Sequence, residues 1–132
     1  MQGETDDRVA EAPQGAAARL ARSHNLWLAT VRPNGAPHLV PVWFVWQDAF
    51  FYICTAPDSV KAKKLEQNGQ AVVALEDGDE PLICEGDSAV IPRPWPEAVV
   101  DAFQRKYEWA IRSEAEYSRL IRIRPLRWMT WS

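Results

Sequence analysis

A stretch that is apolar at nearly every position, His38 to Trp46, constrains the fold of this chain more than any other feature. Side chains of a β-strand alternate between two faces, and one face of this stretch would point into a core: Val40, Val42, Phe44 and Trp46. The opposite face would consist of Leu39, Pro41, Trp43 and Val45. An apolar second face predicts a covering partner, either another subunit or a flat apolar ligand. Pro41 has no N–H to donate, so the strand belongs at a sheet edge or a bulge.

Further strands are predicted around this one from β-branched and aromatic runs that end at turn residues. The six predicted strands cover residues 27–31, 38–46, 50–54, 70–75, 81–91 and 120–131. Hairpin turns are predicted at Asn34-Gly35, Gln47-Asp48 and Asp77-Gly78. Pro125 predicts a bulge in the last strand.

Apolar residues at helical spacing, or capping signals, predict helices over residues 13–24, 59–68 and 96–110. Ser113 and Glu116 have capping-box spacing and predict one further short turn. Six strands in hairpin order with two or three short helices predict an α+β fold with a six-stranded antiparallel barrel, because closing a sheet removes its exposed edges. The acidic and polar residues 1–12 predict a flexible N-terminal tail, so that residues 13–132 form one domain.

The composition narrows the classes of partner. The chain has 132 residues, seven of them Trp, and a formal net charge of -3. So many Trp residues predict interfaces or stacking sites, whereas the negative charge argues against nucleic acid. No run approaches the ~20 apolar residues of a membrane span, and no apolar signal segment precedes the first helix, so we expect a cytoplasmic protein without a membrane partner. Cys54 and Cys84 lack metal-ligand spacing and are expected to be buried, reduced thiols.

Few residues of the sequence have the pattern of a catalytic group. His24 and His38 are the two histidines, so a multi-histidine metal site is not expected. The sequence contains no Gly-x-Ser-x-Gly nucleophile motif and no glycine-rich nucleotide-binding loop. If the chain catalyses a reaction, a bound cofactor has to supply the chemistry.

One anion-binding pattern follows the third predicted strand. Thr55, Ser59 and Lys61 place two hydroxyls and an ammonium at the start of the predicted helix 59–68, where free backbone N–H groups and the helix dipole favour a phosphate. A phosphate here would fit a phosphorylated ligand whose large flat ring lies on the apolar strand. The alternative is that Ser59 only caps the helix and that the lysines of this helix, Lys61, Lys63 and Lys64, form a solvated face.

Three motifs, taken in order, resemble one known family. They are LATVRPNGAPHLVPVWF from Leu28, YICTAPDSVKAKKL from Tyr52, and CEG from Cys84. Together they resemble the pyridoxamine 5′-phosphate oxidase-like superfamily over about residues 20–131. The resemblance implies an FMN-binding split β-barrel that forms a homodimer, with the cofactor at the subunit interface and a small molecule as the substrate.

The resemblance also implies roles for individual residues. Thr55, Ser59 and Lys61 would hold the cofactor phosphate, with Lys64 nearby. The residues along the ring would be Val40, Pro41, Val42 and Trp43. An aromatic residue from the partner's last strand would lie near the flavin, which points to Trp131 and then Trp128. Vitamin B6 oxidases carry a longer C-terminus with an arginine-and-histidine motif that the final residues RWMTWS lack, so a true pyridoxamine 5′-phosphate oxidase is not expected.

Two cofactors fit this pattern, with FMN as the first choice and the deazaflavin coenzyme F420 as the alternative. The longer acidic tail of F420 would favour additional basic residues, which Lys63, Lys64 and Arg93 could supply. Three functions stay open at this point. They are an FMN- or F420-dependent oxidoreductase that transfers hydride to or from a small substrate, a non-catalytic flavin-binding carrier or sensor, and a tryptophan-rich interaction module without a cofactor.

Overall fold

Seven β-strands and two α-helices lie within residues 8–32, 34–57 and 69–130, which are the residues that the computed structural model describes. The helices are α1 (Ala16–Arg22) and α2 (Glu97–Tyr107), and a single 3-10 turn follows at Ile111–Ser113. The strands are β1 (Leu26–Val31), β2 (Pro37–Val42), β3 (Val45–Gln47), β4 (Phe50–Thr55), β5 (Gln70–Ala74), β6 (Leu82–Ile91) and β7 (Arg119–Thr130).

All seven of these strands pair antiparallel in one sheet, in the order β2-β1-β5-β6-β7-β4-β3. The two outermost strands, β2 and β3, are consecutive in the chain, and only Trp43 and Phe44 separate them. This link brings the two edges close together, since three Cα–Cα steps span at most ~11 Å. The sheet therefore curls into a half-barrel, and the predicted α+β class with a curled antiparallel sheet is confirmed.

The prediction of six strands was wrong, because the apolar stretch from His38 to Trp46 forms two strands. The chain leaves one edge of the sheet at Val42 and joins the opposite edge at Val45. A single straight strand cannot reach both edges, so the ladder is interrupted at Trp43 and Phe44. We refer to these two residues as the seam.

The two faces predicted for this stretch are largely confirmed. Val42 and Phe44 are buried in the barrel core, and Val40 and Trp46 pack against the same cluster. On the other face, Leu39 is 60% exposed, Trp43 is 43% exposed and Pro41 is also exposed. Val45 is the exception, since it is only 2% exposed. Beyond the seam it belongs to β3, whose outer face is covered by α2.

Apolar side chains form two layers, one inside the barrel and one between the sheet and α2. The inner layer takes alternate residues of the strands, including Leu28, Ile53 and Ile121. The outer layer joins Val99 and Phe103, which are one helical turn apart on α2, to Leu120 of β7. Lys106 at the end of α2 donates from Nζ to the Leu20 carbonyl oxygen at 3.0 Å, which ties α2 to α1.

The predicted bulge at Pro125 is confirmed. Glu85 pairs with Arg127 and Gly86 pairs with Pro125, so Leu126 has no opposite residue. Gly86 is required at this point, because a Cβ there would collide with the Arg124 carbonyl oxygen.

The remaining predicted elements agree with the structure in part. Helices 13–24 and 96–110 are present as the shorter α1 and α2, and helix 59–68 lies outside the described residues. The hairpin between β3 and β4 turns at Asp48 and Ala49, one residue later than predicted, with φ values of 53° and 72°.

Of the predicted tail, Ala10 is hydrogen-bonded through its N–H to the Pro125 carbonyl oxygen at 2.9 Å. Neither described helix has the length and apolarity that crossing a bilayer requires.

Candidate functional site

The seam is held by the hydroxyl of Tyr107, the last residue of α2. The hydroxyl oxygen accepts the Phe44 N–H at 3.0 Å. The same hydroxyl lies 2.9 Å from the Phe44 carbonyl oxygen and 2.8 Å from that of His24, to which it donates. Burial raises the pKa of Tyr107 to about 12, so the hydroxyl keeps its proton at neutral pH. A side chain thus accepts the Phe44 N–H, which a neighbouring strand would otherwise do.

The second residue of the seam, Trp43, projects outward over Tyr107. The two rings stack with centroids 4.5 Å apart and an angle of 6° between their planes. The His24 ring meets Trp43 edge-on at 5.2 Å. Trp43 is therefore fixed by neighbours although it is 43% exposed, and the stacking orients a large apolar surface toward solvent.

A cavity of about 660 Å³ opens beside this ring. One wall comes from the apolar strand and the seam, through Pro41, Val42 and Trp43. The opposite wall comes from the segment after α2, and Cys54 near the end of β4 closes one side. The volume is within the range of ~300–1,000 Å³ that is typical of small-molecule sites.

Aromatic rings form much of the lining. Trp109 meets Trp43 at 5.9 Å and 78°, and Tyr117 meets Trp109 at 5.9 Å and 84°. Trp109 thus stands nearly perpendicular to each of the other two rings, and all three line the cavity. This arrangement offers several π-surfaces to one ligand.

Two carboxylates, Glu108 and Glu114, also line the cavity. The indole N–H of Trp109 donates to Oε2 of Glu114 at 2.9 Å, which fixes that carboxylate against the aromatic wall. Glu108 follows α2 directly in the left-handed conformation, with φ 53°. No basic residue occurs among the described residues that line the cavity.

The pKa of the Cys54 thiol reflects burial and the nearby carboxylate of Glu114. Burial and, to a smaller extent, the negative charge of Glu114 together raise the pKa of Cys54 to about 12, against a still smaller lowering effect of Arg93. Its Sγ–H donates to the Tyr117 carbonyl oxygen at 3.1 Å. The thiol is therefore protonated at neutral pH and is not a nucleophile there. Arg93 itself stacks over Trp95, with Cζ 4.0 Å from the ring centroid.

The predicted phosphate-binding residues are described only in part. Thr55, the residue after Cys54, is fully buried, and its Oγ1 has no hydrogen-bond partner within the described ranges. A buried hydroxyl without a partner is energetically costly, so it is a candidate for binding a ligand. Ser59, Lys61 and Lys64 lie outside the described residues.

The predicted ring-binding residues fall into two groups. Pro41, Val42 and Trp43 line one cavity, whereas Val40 is half-buried against the barrel core. Trp128 lies away from this cavity in the same chain, with its ring edge-on to Trp46 at 5.6 Å and its indole N–H donating to the Ala10 carbonyl oxygen at 3.2 Å. Trp131 lies outside the described residues. The roles of Trp128 and Trp131 near a partner's flavin stay predictions.

The cavity wall formed by residues 107–117 was not predicted from the sequence. The sequence places Tyr107 only within the predicted helix 96–110 and indicates no binding role for Trp109, Glu114 or Tyr117. A possible signal was the clustering of three aromatic residues immediately after a helix. Within residues 8–32, 34–57 and 69–130, no group of three or more His, Cys, Asp or Glu side chains is placed so that it could hold a metal ion.

Comparisons with known proteins agree on the family and on the fold. A family model described as pyridoxamine 5′-phosphate oxidase matches residues 12–132. Among curated proteins, no sequence relative of this chain was found.

Three solved structures illustrate the fold similarity. An F420 reductase is 23% identical with a TM-score of 0.72, and the match covers 89% of this chain and 98% of that one. HutZ, the heme storage protein from Vibrio cholerae, is 17% identical with a TM-score of 0.75, covering 89% of this chain and 93% of that one. An FAD-binding protein from Mesorhizobium loti is 15% identical with a TM-score of 0.65, covering 88% and 91%. At these identities the similarity shows a shared fold.

Proposed function

Because the chain belongs to the pyridoxamine 5′-phosphate oxidase family, we propose that it is an FMN-dependent oxidoreductase, with the deazaflavin F420 as the alternative cofactor. The family and solved structures named for F420 and for FAD support a flavin-type cofactor. The substrate is a small molecule that binds next to the flavin ring.

The observation that carries this proposal is the cavity at the seam. The exposed apolar segment Pro41 to Trp43 forms one of its walls, and its volume of about 660 Å³ suits a tricyclic ring together with a small substrate. A flat ring bound there would cover the apolar side of the strand that has no core to pack against.

The phosphate of the cofactor would bind at the end of β4. Cys54 borders the cavity, and Thr55 follows with a buried hydroxyl that has no partner among the described residues. Ser59 and Lys61 follow Thr55 a few residues later in the sequence. A phosphate would satisfy the Thr55 hydroxyl and would be neutralised by Lys61.

When bound, the flavin supplies hydride transfer, and the residues of this chain bind and orient it. Trp43 and Tyr107 form a rigid stacked pair at the cavity wall. Neither Cys54 nor Tyr107 ionises near neutral pH, because burial raises the pKa of each to about 12, so neither is a general base under those conditions.

We further propose that the chain forms a homodimer through the outer face of β1 and β2. Trp27 pairs with Pro41, and Ala29 pairs with Leu39, so this face is apolar. Trp27 and Leu39 are among the exposed large apolar residues, and both described helices pack against β3 instead. A second subunit would cover this face and could bring its Trp128 or Trp131 toward the cofactor.

A non-catalytic flavin-binding carrier or sensor is the second candidate. It is favoured by the observation that Cys54 and Tyr107, two of the titratable side chains that line the cavity, keep their protons at neutral pH. Reduction of the bound cofactor followed by a screen of oxidising substrates distinguishes the two functions, because only the oxidoreductase reoxidises its flavin in step with substrate consumption.

Reconstitution tests the proposed cofactor. The purified protein is incubated with FMN or with F420, and unbound cofactor is removed by gel filtration. We expect FMN to co-elute with the protein. Retention of F420 alone would reverse the choice of cofactor, and retention of neither would refute the proposed function.

Lys61→Ala and Lys64→Ala then test the phosphate site in the same assay. We expect Lys61→Ala to weaken FMN binding by about 1.5–3 kcal/mol, the range of charge-assisted hydrogen bonds, and Lys64→Ala to have a smaller effect. Equal losses would indicate a diffuse effect of charge and would remove the specific role of Lys61.

A further inference from the structure

We propose that the substrate or ligand held in the cavity at the seam is an organic cation, such as a substituted amine or a quaternary ammonium compound. This inference rests on the proposed function, since it names the class of molecule that binds beside the flavin. It follows from three properties of the cavity: its charge, its aromatic walls, and a strained residue at its rim.

The charge of the cavity is negative within the described residues. Glu108 and Glu114 line it, and no described lining residue is basic. Arg93 is the cation whose effect reaches the wall at Cys54, but its effect on the Cys54 pKa is smaller than the opposing effect of Glu114. A cation entering the cavity beside these two residues would therefore gain attraction from their carboxylates.

The walls provide the second half of a cation site. Trp43, Trp109 and Tyr117 meet in sequence at angles of 78° and 84°. A positively charged group surrounded by ring faces is stabilised by the quadrupoles of the rings, and cages of this kind bind alkylated ammonium groups. Glu114 is fixed within this cage by the Trp109 indole N–H, which occupies only Oε2 in the described contacts. Its second oxygen remains available to a ligand.

Glu108 supplies the third argument. It is the residue after α2 and has φ 53°, the left-handed conformation that glycine adopts at least cost. A glutamate at this position destabilises the helix end relative to glycine, yet it places a carboxylate at the cavity. A residue that is unfavourable for the fold at a cavity rim is consistent with a role in binding.

Choline and its neutral isostere 3,3-dimethylbutan-1-ol provide the test, since they have nearly the same shape and differ in charge. Each is titrated into the full chain by isothermal calorimetry, with and without bound FMN. We expect choline to bind and the neutral alcohol to bind at least tenfold more weakly. Equal binding of the two would show an apolar pocket and would overturn the proposal.

Substitutions that each remove one negative charge test whether choline binds in this cavity. Gln at position 114 can still accept the Trp109 N–H, so Glu114→Gln removes the charge while keeping that hydrogen bond. We expect Glu114→Gln and Glu108→Gln each to weaken choline binding about tenfold. Asp101→Asn, on the exposed side of α2, makes the same charge change away from the cavity and should leave choline binding unchanged. An equal effect of all three would overturn the assignment to this cavity.

The two proposals fail in different ways. If FMN is retained and choline does not bind, the cation inference is wrong and the proposed function stands. If choline binds but neither FMN nor F420 is retained, the proposed function is wrong, and with it the assignment of the cation as a substrate beside a flavin.

Discussion

The hydroxyl of Tyr107 takes the place of a neighbouring β-strand for Phe44. It lies 3.0 Å from the Phe44 nitrogen and 2.9 Å from the Phe44 carbonyl oxygen, at the point where the chain crosses from one edge of the sheet to the other. The same ring stacks on Trp43. The Tyr107 side chain thus contacts both the residue that crosses between the sheet edges, Phe44, and the ring at the cavity wall, Trp43.

Removing this hydroxyl tests its structural role. We expect Tyr107→Phe to lower the free energy of unfolding by about 1–3 kcal/mol, because it removes the acceptor of the Phe44 N–H and the donor to the His24 carbonyl but keeps the ring. Urea denaturation measures the loss. Tyr117→Phe is the matched control, since Tyr117 is exposed and its hydroxyl makes no hydrogen bond in the described contacts. A loss no larger than that of the control would contradict this role.

The raised pKa of Tyr107 adds a pH signature. The folded state keeps the phenol neutral up to a pKa of about 12, whereas the unfolded chain ionises near the ordinary value of 10.0. The unfolded state therefore binds fewer protons in this window, and stability contributed by Tyr107 is present below pH 10 and is lost between about pH 10 and 12. Wild type should lose stability more steeply than Tyr107→Phe over this range. Parallel curves would show that the hydroxyl is not protected from ionisation.

The β3–β4 hairpin offers a stabilising substitution. Ala49 has φ 72°, which costs energy for any residue with a Cβ. We expect Ala49→Gly to raise the free energy of unfolding by about 0.5–1 kcal/mol. Ala18→Gly in α1 is the control with the opposite sign, because glycine in an exposed helix costs about 1 kcal/mol. Destabilisation by Ala49→Gly would mean that the turn in solution differs from this one.

Thr55 can be compared with Thr30, a second buried threonine. Thr55 and Thr30 are both buried, and each has an Oγ1 with no partner among the described residues. Valine has nearly the same shape without the hydroxyl, so both Thr→Val changes should leave the unliganded protein equally or more stable. Thr55→Val should weaken FMN binding by about 0.5–1.5 kcal/mol, and Thr30→Val should not. Equal FMN affinity of the two variants would remove Thr55 from the phosphate site.

The proposed dimer is tested by sedimentation. A specific interface over β1 and β2 should bury more than the ~1,200 Å² typical of stable contacts, so we expect a dimer at micromolar concentration. Leu39→Asp, at the most exposed apolar residue of that face, should produce monomers. Val90→Asp changes an exposed valine on β6 and should leave the dimer intact. A monomeric wild type would refute the interface.

The sequence predicted the parts of the fold that depend on local pattern. The strand periodicity identified the inward faces of Val42 and Phe44, and Pro125 identified the bulge, because both signals act within a few residues. The local pattern could not predict that β2 and β3 are opposite edges of one sheet, since the residues between them are held by Tyr107, which is 63 residues from Phe44 in the sequence. The cavity wall formed by the residues after α2 could not be predicted from the sequence for the same reason. Glu114 and Trp109 become part of a site only when the chain after α2 folds back against the seam.

Trp43→Ala tests most directly whether a flavin ring binds at the seam. Val90→Ala is the control, because Val90 has a nearly equal exposed fraction and does not line the cavity. FMN binding is followed through the fluorescence of the flavin, which does not depend on the tryptophans of the protein. We predict that Trp43→Ala weakens FMN binding at least about tenfold through loss of ring contact, with Val90→Ala equal to wild type. FMN binding of Trp43→Ala at wild-type affinity would contradict the account.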